Sequence, residues 1–216
     1  MHGVAAERIF ATNAEFQENG WALLRSSTTR GGVRALQSLL RPQLAIGREI
    51  GQPVEDLRLL VAALLPSPSE IVIVSATHDV VGHDDITAGL LVQESMSRPV
   101  CGPFVVAWLA EEQISPNDMP FLFYSGSHIY GQLPKPGRVG FERWPQLGEC
   151  EIAAPREMDE GDAIVFHGNT VFARIVPPRS VRGWKIILAP AEVARVLLES
   201  AAPPPLDALP RGARSS

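Results

Sequence analysis

Metal-binding chemistry needs several nitrogen or oxygen donors that converge on one point. The chain offers one literal His-x-Asp, His83-Asp84-Asp85, with His78-Asp79 just before it and His128 or His167 available as a further donor. Side chains two apart on a strand share a face, so His83 and Asp85 with His167 would make a three-donor metal site. The surrounding run VVGHDDITAG argues against it. Its Gly and Asp content reads as a solvated turn between strands rather than a rigid ligand platform. The two cysteines, Cys101 and Cys150, are far apart and show no CxxC or Cys/His spacing, so they read as small apolar residues.

Composition narrows the function classes. The chain has 216 residues, 45% of them hydrophobic, a net charge of −5 and a pI near 5.6. This predicts one ordinary globular domain over residues 1–202, followed by a Pro-rich disordered tail over 203–216. The acidic balance gives no reason to approach nucleic acid or an anionic membrane. No apolar run is long enough to span a bilayer, and MHGVAAERIF lacks the marks of a signal peptide, so a cytoplasmic location is expected. The partner expected is a small-molecule substrate, with a homo-oligomer possible.

The elements that must hold any site change period along the chain. EFQENGWALLR (15–25) reads as a short polar helix, a break at Gly20 and an apolar strand. Helical spacing of apolar residues follows over Gly32 to Ile50 and over Val54 to Leu65. From there Val, Ile and Phe recur in short runs between turns: IVIVSA (71–76), TAGLLVQE (87–94), FVVAWLAE (104–111), FLFYSG (121–126), AIVFHG (163–168), TVFARIV (170–176) and GWKIILAP (183–190). Seven such strands without helical crossovers predict a mostly β sandwich or barrel and exclude a dinucleotide-binding fold. No GxGxxG, GxxxxGK or GxSxG occurs. Leu133 to Pro145 reads as a loop over one mouth of the barrel.

Four pieces, FQENGWALLR, VVAWLAEEQISPNDMPFLFYSGSH, EGDAIVFHG and a basic strand beginning near Arg182, resemble the phytanoyl-CoA dioxygenase-like branch of the iron(II)/2-oxoglutarate oxygenases. The resemblance implies a double-stranded β-helix (jelly-roll, cupin-like) core with N-terminal helices. It also implies an iron site of His-x-Asp plus a distant His, with an Arg beyond it to hold 2-oxoglutarate. Here the pattern places Val92-Gln93-Glu94 where His-x-Asp belongs and Phe172 where the distant His belongs. Valine and phenylalanine have no lone pair to give a metal. The resemblance therefore implies a divergent member that needs no cofactor, with the iron(II) and 2-oxoglutarate site at His83, Asp85 and His167 as the alternative.

On that reading Glu94 would move a proton, and Arg182 or Lys185 would hold an anionic or carbonyl oxygen. Tyr124, with its hydroxyl, and His167, either buried and hydrogen-bonded or lining the pocket, complete the catalytic candidates. Val92, Trp108, Phe172 and Arg174 are the substrate-binding candidates, and Trp108, Phe121 and Phe123 supply core or pocket wall. His128, in the GSH turn, is expected to end a strand. The predicted activity is a metal-independent isomerisation, cyclisation or elimination on a small biosynthetic intermediate. A non-catalytic binding protein is the remaining alternative.

Overall fold

The computed structural model describes residues 12–25, 65, 70–83, 91–97, 102–133 and 145–201. The helices expected between Gly32 and Leu65, the first half of the strand at 87–94, Asp85, Cys101, most of the loop after Leu133 and the tail lie outside the described residues.

Among the described residues, nine strands form two antiparallel sheets. Sheet A has the order β1 (Trp21–Leu24), β7 (Ala163–His167), β4 (Val105–Ala110), β9 (Val181–Pro190), β2 (Ile71–Val81). Sheet B has the order β3 (Leu91–Val92), β8 (Phe172–Arg174), β5 (Phe121–Tyr124), β6 (Ile152–Ala153). All seven expected runs contribute a strand, and the run before Arg25 gives a helix, α1 (12–19), and β1 as predicted. β6 was not predicted, because a two-residue strand carries too little periodicity to read.

Alternation divides the side chains of sheet A into two apolar layers. Val106, Trp108, Ile164, Phe166, Val181 and Ile187 face sheet B and pack with Phe121, Phe123 and Phe172. Val105, Ala107, Leu109, Val165, Ile186 and Leu188 face the other way, where Phe16 of α1 covers them. α2 (Ala191–Ala201) closes one end of the inner layer through Val193, Ala194 and Leu197. Each fully buried aromatic ring contributes about 2–3 kcal/mol by leaving water.

Two local features aim the site. β2 carries a register shift between Ile73 and Ser75. The extra residue moves Ser75, Thr77, Asp79 and Val81 opposite Ile187, Lys185, Gly183 and Val181, on the face toward sheet B, and turns His78 outward. Gly20 joins α1 to β1 at φ 77°, a conformation that glycine adopts without strain. Its carbonyl accepts from the Thr170 hydroxyl at 2.7 Å, and a Cβ there would lie 2.4 Å from the His128 ring.

Candidate active site between the sheets

Antiparallel pairing sets Val92 of β3 directly against Phe172 of β8, so the two residues share a face at the edge of sheet B. Two residues after Val92, Glu94 opens a 3-10 turn and is buried. Its Oε1 accepts a hydrogen bond from Lys185 Nζ at 3.1 Å, an ion pair that spans the gap from the end of β3 to β9. Lys185 stands opposite Trp108 on one side and Thr77 on the other. The inward face of β9 therefore presents a cation to the space between the sheets.

A second ion pair crosses the same space. Arg174 lies on the face of β8 that carries Phe172, and its Nη2 donates to Asp79 Oδ2 at 2.6 Å. Trp108 Nε1 donates to the same oxygen at 2.9 Å. The indole reaches Asp79 by crossing Gly183, where a Cβ would sit 2.5 Å from the ring. Between the two pairs runs an aromatic wall. Phe172 is 5.1 Å from Phe166 and 6.0 Å from Phe121, and Phe121 meets Trp108 edge-on at 5.2 Å. This is a low-dielectric compartment with a carboxylate and an ammonium in contact, suited to moving a proton and stabilising the charge it leaves.

The profile of the phytanoyl-CoA dioxygenase family matches residues 55–173, more than half of the sequence. The chain belongs to the phytanoyl-CoA dioxygenase family. Solved structures share its fold. The α-ketoglutarate-dependent epimerase SnoN from nogalamycin biosynthesis is 14% identical, with 86% of this chain and 84% of that chain aligned and a TM-score of 0.63. The α-ketoglutarate-dependent carbocyclase SnoK from the same biosynthesis is 14% identical over 84% and 83%, with a TM-score of 0.64. EvdO2 from Micromonospora carbonacea var. aurantiaca is 14% identical over 90% and 94%, with a TM-score of 0.60. No curated protein matches the sequence.

These findings correct the expectation that no cofactor is needed. The family is one of dioxygenases, and structures sharing its fold are described with Fe3+ and α-ketoglutarate (SnoN) or with 2-oxoglutarate (EvdO2). The residues that the resemblance places at the family's ligand positions do not fit iron, however. Val92 and Phe172 offer no donor atom, Glu94 is engaged by Lys185, and among the described residues no group of three or more His, Cys, Asp or Glu converges.

The alternative iron site at His83, Asp85 and His167 is also corrected. His83 is an exposed turn residue just beyond β2, and Asp85 lies outside the described residues. β2 and β7 are separated by β9 and β4, roughly 14 Å at ~4.8 Å per strand. His167 lies level with Leu188 and Val81 with Val181, at opposite ends of β9, a further ~23 Å along the strand direction. One ion with ligand bonds of about 2 Å cannot join them.

Three catalytic candidates fall outside the compartment. Arg182 alternates with Lys185's face and points outward, its side chain 59% exposed and its Nε 3.5 Å from Glu112. Tyr124 sits on the outer side of sheet B with Leu147 and Val171, where burial lifts its phenol above the usual range. His167 alternates with Phe166 and lies near Phe16 on the outer layer, its Nδ1 accepting from the Asn169 amide at 3.1 Å. Burial, and then the neighbouring His128, push its pKa down to about 4.

Glu94, Lys185, Val92, Trp108, Phe172 and Arg174 are brought together between the sheets. Asp79 and Gln93 were missed as site residues. Only the bulge in β2 turns Asp79 inward. Gln93 was visible as the middle residue of Val92-Gln93-Glu94, but its partners are distant in sequence.

Proposed function

We propose that this chain is an enzyme that rearranges a small biosynthetic intermediate between its two sheets by isomerisation, cyclisation or elimination. Glu94 moves the proton, and Lys185 holds the oxygen on which negative charge develops. The observation that carries the reading is the Glu94–Lys185 pair, 3.1 Å apart and set beside Val92 and Phe172.

A carbonyl or phenolate oxygen that takes over the Lys185 ammonium would free the Glu94 carboxylate to accept a proton from the adjoining carbon or hydroxyl. Lys185 then offsets the charge on that oxygen in a site from which Phe172, Phe121 and Trp108 exclude water. Val92, Trp108, Phe172 and Arg174 shape the wall against which the substrate rests. An epimerase and a carbocyclase among proteins of this fold support a bond- or stereochemistry-rearranging step.

The test is turnover in D2O over a panel of small carbonyl and phenolic compounds. Wild type is expected to rearrange a member of the panel with uptake of solvent deuterium, and Glu94→Gln to be slower by about 10²–10⁴-fold, the range of general acid–base catalysis. Equal rates for the two proteins would remove Glu94 from the chemistry.

A further inference from the structure

We infer that Gln93 is the residue that positions Glu94, an inference that rests on the role proposed for Glu94 above. The Gln93 side chain is buried, and both ends of its amide are engaged. Nε2 donates to the Gly131 carbonyl at 3.1 Å and to the Asn169 carbonyl at 2.5 Å, while Oε1 accepts from the Leu133 amide at 2.8 Å. Three of the four hydrogen bonds an amide can make are therefore spent on backbone groups. Gln93 acts through its neighbour rather than on substrate.

The residue after Glu94 is tied to the same two segments. The Ser95 amide donates to the Gly168 carbonyl at 3.0 Å, and the Ser95 carbonyl accepts from Gln132 Nε2 at 2.6 Å. Glu94 thus sits between two residues anchored to both 131–133 and 168–169, with Val92 held in register against Phe172. The 3-10 turn at Glu94 has no long strand to hold it, since β3 is two residues long. Anchoring by Gln93 replaces that support and fixes the backbone from which the Glu94 carboxylate reaches Lys185. A Met at 93 fills the same volume but makes none of these bonds. A Glu accepts from Leu133 but cannot donate to the two carbonyls.

The chain has only one other lysine, Lys135, so the reactivity of Lys185 reports directly on its pairing. The experiment measures the rate at which acetic anhydride acetylates Lys185, by peptide mass spectrometry, in wild type, Gln93→Met, Glu94→Gln and the double variant, with circular dichroism to confirm folding. Glu94→Gln is expected to raise the rate about fivefold by freeing the amine from its carboxylate. Gln93→Met is expected to raise it by a similar factor, and the double variant to be no faster than Glu94→Gln alone. Where Gln93→Met does not fold, Gln93→Glu takes its place. A wild-type rate in the Gln93 variant while Glu94→Gln is fast would overturn the inference. So would no rise in either single variant, or an equal rise in the Glu94→Gln background, which marks general loosening. The two readings fail separately: a Glu94→Gln protein that turns over normally removes the proton-transfer role and leaves the labelling pattern intact.

Discussion

The two faces of sheet A treat ionisable groups in opposite ways. Toward sheet B, each basic side chain among the described residues meets a carboxylate across the gap, Lys185 with Glu94 and Arg174 with Asp79. On the outer side near α1, His167 and His128 stand with ring centroids 5.9 Å apart, and burial lowers the pKa of both. The inner face keeps charges by pairing them, whereas the outer face, which pairs its more exposed His78 with Glu111, keeps the two more buried imidazoles near α1 by leaving them neutral. His167 and His128, of the residue type that first suggests catalysis, are packing groups, while the working candidates are a glutamate and a lysine.

The contrast can be broken from either side. The largest effect is expected from Asp79→Ala, which strips both Arg174 and Trp108 of their shared acceptor. Removing one partner of a largely buried pair costs roughly 3–5 kcal/mol, read as a loss of denaturant midpoint at unchanged slope. Asp79→Asn keeps an acceptor oxygen and should lose less.

Next comes the pH dependence of the outer face. The folded His167 pKa of about 4 lies below its ordinary value of 6.5, so the unfolded chain binds the proton more readily between these limits. The contribution of a neutral His167 is fully present above pH 6.5 and is lost as pH falls toward 4. The loss amounts to about 3 kcal/mol, measurable by urea unfolding across this window. His167→Gln should flatten the curve there.

A smaller effect tests the site's metal chemistry. Val92→His with Phe172→His places two imidazoles on paired positions beside Glu94, and should tighten Fe(II) binding about tenfold or more over wild type by calorimetry. An unchanged affinity would show that these positions do not converge as the pairing indicates. The smallest effect is expected at Arg182, whose exposed pairing with Glu112 is worth under about 0.5 kcal/mol. Arg182→Ala should leave thermal stability and turnover nearly unchanged, and a large drop in turnover would bring Arg182 back into the site.

Much of this was legible without coordinates. Short runs rich in Val, Ile and Phe between turn residues read as strands because β-branched and aromatic side chains fit a pleated sheet, here one buried on both faces, and the seven that were read all contribute strands. The positions of Val92, Glu94 and Phe172 followed from the family pattern, and the pairing of Val92 with Phe172 brings them together.

What the one-dimensional pattern could not decide was which way each charged side chain faces. Arg182 and Lys185 lie three apart on β9 and therefore point to opposite faces. That parity is written in the chain, but which parity is inward depends on the second sheet. Asp79 depends on more still. Alternation counted from Ile71 puts Asp79 and His78 on the wrong sides, and one extra residue near Val74 reverses both. Local sequence determines that a strand forms and how its side chains alternate. Only the packing of two sheets against each other determines which half becomes the interior, and so which carboxylates meet Arg174 and Lys185.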